Sequence, residues 1–210
     1  ITKKSLLIKL LKLQFKQFFQ SLFLLKLNKK IKCNQILEKE IPNSKFSLIS
    51  MDLTYNPIVD VPLRDWHADE VYNLRGGEGG KFKFFIYLTP TKKKSGSLAF
   101  IKKSQELNFL LADLMKKKII PEKKLYSLND FYEYLNNDEI KNILIKETSN
   151  ETFNEVFNII SNVYNNPSTD TYDVECDAGD CILFNEMGIH RGAVNKENER
   201  FVLRFLYQKN

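Results

Sequence analysis

Strand signals stand on both sides of a long helical block, and that interruption limits what this chain can fold into more than anything else in it. Gln105 to Lys118, Leu128 to Asn136, Asp138 to Glu147 and Glu151 to Tyr164 carry apolar residues at helical spacing, with strand signals nearly absent. Residues 105–165 are therefore predicted as a helical insertion that covers a site mouth or pads a sheet. Before it, Lys45 to Met51 alternates polar and apolar residues, although the Leu48-Ile49 pair blurs the pattern. Phe82 to Thr89 places Phe85 and Tyr87 opposite Phe84 and Ile86, and Ser97 to Ile101 follows a lysine-rich turn. After the block, Thr171 to Cys176, Cys181 to Phe184 and Arg200 to Tyr207 resume strand character. Strands on either side of an insertion suit a mainly β fold with helices, a double-stranded β-helix of the cupin-like jelly-roll type.

At 210 residues the chain is long enough for one well-buried domain and an appendage. The division expected is residues 1–40 as a helix packing on the barrel and residues 41–210 as the barrel with its insertion. Residues 1–37 carry nine lysines and no acid, which leaves 23 basic against 26 acidic side chains in the rest. From Ser5 to about Leu27, Leu7, Leu11, Phe15, Phe18, Leu22 and Leu25 form one face and lysines the other. Lysines break the apolar run too often for a membrane span or a signal-peptide core. A basic amphipathic helix suits an anionic membrane surface or nucleic-acid phosphates, but its commoner use is to cap a sheet, so no nucleic-acid partner is expected. Cys33 to Glu40 reads as a short helix ended by Ile41-Pro42-Asn43. Cys33, Cys176 and Cys181 form no even disulfide set and are expected as buried free thiols in a reducing, cytoplasmic compartment. The chain opens on Ile rather than Met, as a fragment or a processed product would.

Asn56-Pro57 and Val61-Pro62 punctuate a predicted loop that delivers the chain to Arg64-Asp65-Trp66-His67-Ala68-Asp69. Two residues apart, His67 and Asp69 share one face of an extended strand, close enough to share a metal ion. The second of only two histidines, His190, lies shortly after Cys181-Ile182-Leu183-Phe184. Two His and one carboxylate from separate strands make the facial donor set of non-haem Fe(II) oxygenases, which leaves one side of the metal open. The glycine-rich Arg75-Gly76-Gly77-Glu78-Gly79-Gly80-Lys81 is no phosphate loop, because Arg75 and Phe82 stand where that motif needs Gly and Ser or Thr. On the last strand Arg200, Val202, Arg204 and Leu206 share a face, and arginines on a buried strand require an anionic partner.

Three blocks together resemble the phytanoyl-CoA dioxygenase-like branch of the Fe(II)/2-oxoglutarate oxygenases. They are Trp66-His67-Ala68-Asp69; Tyr87-Leu88-Thr89-Pro90 through Ser95-Gly96-Ser97-Leu98 to Ile101-Lys102-Lys103-Ser104; and Ala178-Gly179-Asp180 through Phe184, His190 and Arg200. The resemblance implies that His67, Asp69 and His190 ligate iron and that Arg200 grips the far carboxylate of 2-oxoglutarate, with Arg204 in reserve. Phe85 and Tyr87 would line the co-substrate pocket or simply pack the core. The activity implied consumes 2-oxoglutarate and O2, releases succinate and CO2, and hydroxylates a C–H bond of a small molecule or lipid-like substrate. Asp69 argues against a halogenase, which would carry a small residue there. Two positions depart from the family pattern: Gln105 replaces a common His, and Arg191-Gly192 replaces a Gly-Ser after the distal His, setting a bulky side chain beside the metal. The competing reading is a catalytically silent jelly-roll binding protein recruited to a membrane or nucleic acid by its basic helix.

Overall fold

Alternating side chains sort the strands into two sheets with a shared apolar interior. The computed structural model of the chain describes residues 22, 25–69, 80–167 and 171–210. Its strands are β1 (Phe46–Asn56), β2 (Val59–His67), β3 (Lys81–Tyr87), β4 (Leu98–Ile101), β5 (Thr171–Val174), β6 (Cys181–Asn185), β7 (His190–Asn195) and β8 (Arg200–Lys209). One sheet has the order β1-β8-β3-β6 and the other β2-β7-β4-β5, with antiparallel pairing throughout. Successive strands alternate between the two sheets, except β4 and β5, which are neighbours in the second sheet; this is the winding of an eight-stranded jelly roll, so the fold is the mainly β double-stranded β-helix expected.

Each face of the sheets has its own apolar cluster. Phe85, Tyr87, Leu98, Cys176, Phe184 and Val202 fill the space between the sheets. On the outer face of the first sheet, Phe84, Leu203, Phe205 and Tyr207 pack against Cys33 and Leu37 of helix α1 (Cys33–Glu40). The outer face of the second sheet offers Trp66, Ala99 and Ile101 to the insertion, whose helices are α2 (Ser104–Lys116), α3 (Leu128–Leu135), α4 (Asp138–Glu147) and α5 (Asn150–Asn165). Leu111, Phe131 and Ile160 are fully buried there, each contributing about 1.5–3 kcal/mol of apolar burial. The insertion thus pads the second sheet. Side-chain caps set where its helices begin: Ser127 and Asp130 form a capping box at α3, Asn137 caps α4 and Ser149 caps α5.

Three local expectations are corrected. The segment read as a loop around Val61-Pro62 is β2, and β1 runs past Met51 to Asn56. Pro62 is compatible with a strand because β2 is a sheet edge and its pairing with β7 is irregular between Val59 and Pro62. Cys33 and Cys176 are buried free thiols as expected, but Cys181 is exposed, since it opens a strand at the rim of its sheet.

Most of the predicted basic amphipathic helix from Ser5 to about Leu27 lies outside the described residues, as does the glycine-rich segment from Arg75 to Gly79. Residues 25–31 are helical, Leu27 and Ile31 pack on the outer cluster of the first sheet, and the Tyr207 hydroxyl donates to Asn28. No described helix is long and apolar enough to cross a membrane.

Candidate metal centre

Antiparallel pairing of β2 with β7 sets His67 directly opposite His190, with ring centroids 4.4 Å apart. Just past the end of β2 the chain brings Asp69 between them. Its Oδ1 lies 3.6 Å from His67 Nε2 and its Oδ2 3.2 Å from His190 Nε2. One donor atom from each of the three residues falls within 4.8 Å of the other two.

The backbone fixes how both rings present themselves. His67 Nδ1 is 2.6 Å from the carbonyl of Asp65, and His190 Nδ1 is 2.8 Å from that of Gly188. A carbonyl only accepts, so each Nδ1 carries a proton, and Nε2 is the nitrogen that each ring turns toward Asp69. A metal ion placed among the two Nε2 atoms and the carboxylate would take one donor from each residue. Burial lowers the His67 pKa to about 4 and keeps that ring neutral at pH 7. Burial works to raise the Asp69 pKa, but hydrogen bonding to His190 and the charge of Lys83 outweigh it and hold the carboxyl well below its usual range. Two imidazole nitrogens and one ionised carboxylate form a donor set suited to Fe(II) and other first-row divalent metals.

Lys83, which the sequence reading passed over, is part of this cluster. Its Nζ is 2.5 Å from Asp69 Oδ2 and 2.6 Å from Oε1 of Glu186, whose side chain is almost fully buried. The signal for it was the two-residue alternation of β3, which puts Lys83 on the same face as Phe85 and Tyr87. Arg64 reaches Asp69 Oδ1 at 3.2 Å from a largely exposed position.

A cavity of about 130 Å³ runs from the triad into the barrel, past Lys83 and Phe85, to Asn56 and Arg200. Arg200 is 6% exposed, and its Nη1 donates to the neutral Asn56 Oδ1 at 3.1 Å. Arg200 Nε and the hydroxyl of Tyr87 have no aligned hydrogen-bond partner. The guanidinium lies 5.4 Å from the Tyr87 ring centre and 5.9 Å from that of Phe85. Burial raises the Tyr87 pKa against the pull of the Arg200 charge, so the hydroxyl stays protonated and able to donate. A buried cation with unused donors beside it is costly unless an anion completes it, and a carboxylate matches its planar fork. The residues present therefore fit a dicarboxylate reaching from the triad to Arg200.

Arg204 sits in the same cavity wall but is already engaged: its Nε is 2.7 Å from Asp52 Oδ1, and both side chains are about two-fifths exposed. Arg191 is not beside the triad. β7 alternation turns it to the opposite face, where its guanidinium stacks 4.5 Å over Trp66 and donates to the Pro167 carbonyl. Gln105 is exposed on α2.

Comparison with known proteins gives one family match. The model of the family described as phytanoyl-CoA dioxygenase (PhyH) matches residues 28–200. No curated protein matches the sequence. Among solved structures, AviO1 from Streptomyces viridochromogenes Tue57 is 11% identical with a TM-score of 0.48, covering 83% of this chain and 55% of its own. HygX from Streptomyces hygroscopicus, with nickel and 2-oxoglutarate bound, is 13% identical with a TM-score of 0.48, covering 82% and 60%. SnoN, a non-heme alpha ketoglutarate dependent epimerase from nogalamycin biosynthesis, is 13% identical with a TM-score of 0.47, covering 83% and 51%. The chain spans less than two thirds of the length of each of these three.

Proposed function

The chain belongs to the phytanoyl-CoA dioxygenase family, and from that premise we propose that it is an Fe(II)- and 2-oxoglutarate-dependent dioxygenase acting on a small-molecule substrate. In this reading His67, Asp69 and His190 hold the ferrous ion, and Arg200 with the Tyr87 hydroxyl holds the far carboxylate of 2-oxoglutarate. The observation that carries it is the cavity joining the triad to a buried arginine whose donors are only partly used. Bound there, iron, 2-oxoglutarate and O2 supply oxidative chemistry that releases succinate and CO2 and hydroxylates a C–H bond of the substrate.

The remaining work belongs to the chain. The carbonyls of Asp65 and Gly188 hold the two imidazoles with Nε2 toward the metal position. Lys83 holds one carboxylate oxygen of Asp69. Arg200 and Phe85 orient the co-substrate, by two-pronged charge-assisted bonds and by an apolar wall. Phe85, Phe184 and Val202 exclude water from the interior beside it.

Iron content after anaerobic reconstitution tests the metal assignment. One ferrous ion per chain is expected in the wild-type protein and none in Asp69→Ala; equal iron in both removes Asp69 from the site. The silent binding-protein reading expects no stoichiometric iron in either.

A further inference from the structure

The insertion does more than pad the sheet, because its first helix holds the turn from which His190 emerges. Ser104 and Asn108 lie one helical turn apart on α2 and are almost wholly buried. The Ser104 hydroxyl donates to the Ile101 carbonyl at 2.7 Å and accepts the Ile189 amide at 2.9 Å. The Asn108 side-chain amide donates to the Met187 carbonyl. Within the same turn the Met187 amide donates to Asn185 Oδ1 at 2.8 Å, and β4 contributes the Ile101 amide to the Ile189 carbonyl at 2.9 Å.

The turn therefore has its backbone groups fixed at Met187 and Ile189, on both sides of Gly188. Gly188 supplies the carbonyl that orients the His190 ring, and Phe100 and Phe184 flank that ring with centroids 5.8 and 5.3 Å away. Aromatic packing limits where the ring sits. The Gly188 carbonyl holds a proton on Nδ1 and so leaves Nε2 as the nitrogen facing the site. A shift of the turn would turn that carbonyl and with it Nε2.

We propose that Ser104 and Asn108 are positioning residues for His190, acting through the turn of residues 185–189 to aim its Nε2 at the metal. This rests on the proposed assignment of His190 as a metal ligand. It gives the helical insertion a role in the chemistry, since α2 fixes the approach to the distal histidine from outside the barrel.

The test is Co(II) titration of the protein, following the visible absorption of the bound ion, with thermal unfolding measured on the same samples. Ser104→Ala and Asn108→Leu are each expected to weaken Co(II) binding about tenfold and to alter the absorption band, as outer partners of metal ligands do. Ser104→Thr, which keeps the hydroxyl, is expected to bind within twofold of wild type. Leu111→Ala removes a buried side chain from the same helix without touching the turn, so it should lower the unfolding temperature and leave Co(II) affinity unchanged. If Ser104→Ala and Asn108→Leu bind as tightly as wild type, or if Leu111→Ala weakens binding as much as they do, the positioning role is wrong. Failure of the wild-type protein itself to bind Co(II) overturns the metal-site reading, and this inference with it.

Discussion

Lys83 Nζ lies 2.5 Å from Oδ2 of Asp69, so a partly buried ammonium grips a carboxylate of the proposed metal site. The same nitrogen is 2.6 Å from Glu186, whose segment leads into β7 and His190. One lysine thereby ties the end of β2 to the approach to β7 at the level of the triad. Replacing it with methionine keeps the chain length and removes the charge that both carboxylates share. Truncating one member of a fully buried ion network costs about 3–5 kcal/mol, and with Lys83 and Asp69 only partly buried the loss for Lys83→Met should be smaller, about 2 kcal/mol in urea unfolding. Lys83→Met combined with Glu186→Gln should recover part of the loss, because it removes a charge of each sign. A loss below about 0.5 kcal/mol for Lys83→Met would show that the network carries little stability.

The two cavity arginines should separate cleanly in kinetics. Arg200 is buried with unused donors, whereas Arg204 already pairs with Asp52 in a partly exposed position. Losing a buried charge-assisted contact costs at least about 2 kcal/mol, equivalent to roughly 30-fold, and an exposed ion pair contributes only about 0–1 kcal/mol. Arg200→Met should therefore raise the KM for 2-oxoglutarate at least about 30-fold while Co(II) affinity stays within a few-fold. Arg204→Met should change that KM by less than about fivefold. Steady-state succinate assays across a 2-oxoglutarate series decide it, and the reverse ranking would move the anchor to Arg204.

Stability should fall in mild acid for a reason that can be assigned to one ring. Burial keeps the folded His67 pKa at about 4, below its ordinary value of 6.5. Between those values the unfolded chain binds a proton that the folded chain refuses, so this contribution is complete above about pH 6.5 and is lost as pH falls toward 4. Asp69, whose folded pKa is depressed, adds a loss of its own below the ordinary carboxylate range. Chemical unfolding in the presence of a chelator, at steps from pH 7.5 to pH 4.5, should show the decline in wild type. His67→Gln should flatten it, and an unchanged slope in that variant would place the titration elsewhere.

The fold and the triad were legible in the sequence to different depths. The insertion helices were readable because each carries its own apolar stripe and, in three cases, a side-chain cap within a residue or two of its start. β2 was missed because proline usually breaks strands, and nothing local says that a strand will lie at a sheet edge. β7 was missed because Arg191-Gly192-Ala193-Val194 is too short and too mixed to alternate clearly. His67, Asp69 and His190 stood out because histidine is so scarce here. Lys83 did not, because this chain is rich in lysine and only the pairing of β3 shows which of them points inward. The difference between Arg200 and Arg204 was also hidden, since it depends on Asp52, which reaches Arg204 only through the β1 and β8 register.

Succinate formation from 2-oxoglutarate, with Fe(II), O2 and ascorbate, tests the central claim most directly when wild type is compared with Asp69→Ala. Turnover in the wild-type protein is expected even without the primary substrate, as slow uncoupled consumption of 2-oxoglutarate. In Asp69→Ala it should drop to the level of iron in buffer, while far-UV circular dichroism shows the fold retained. Equal succinate formation by the two folded proteins would contradict the account.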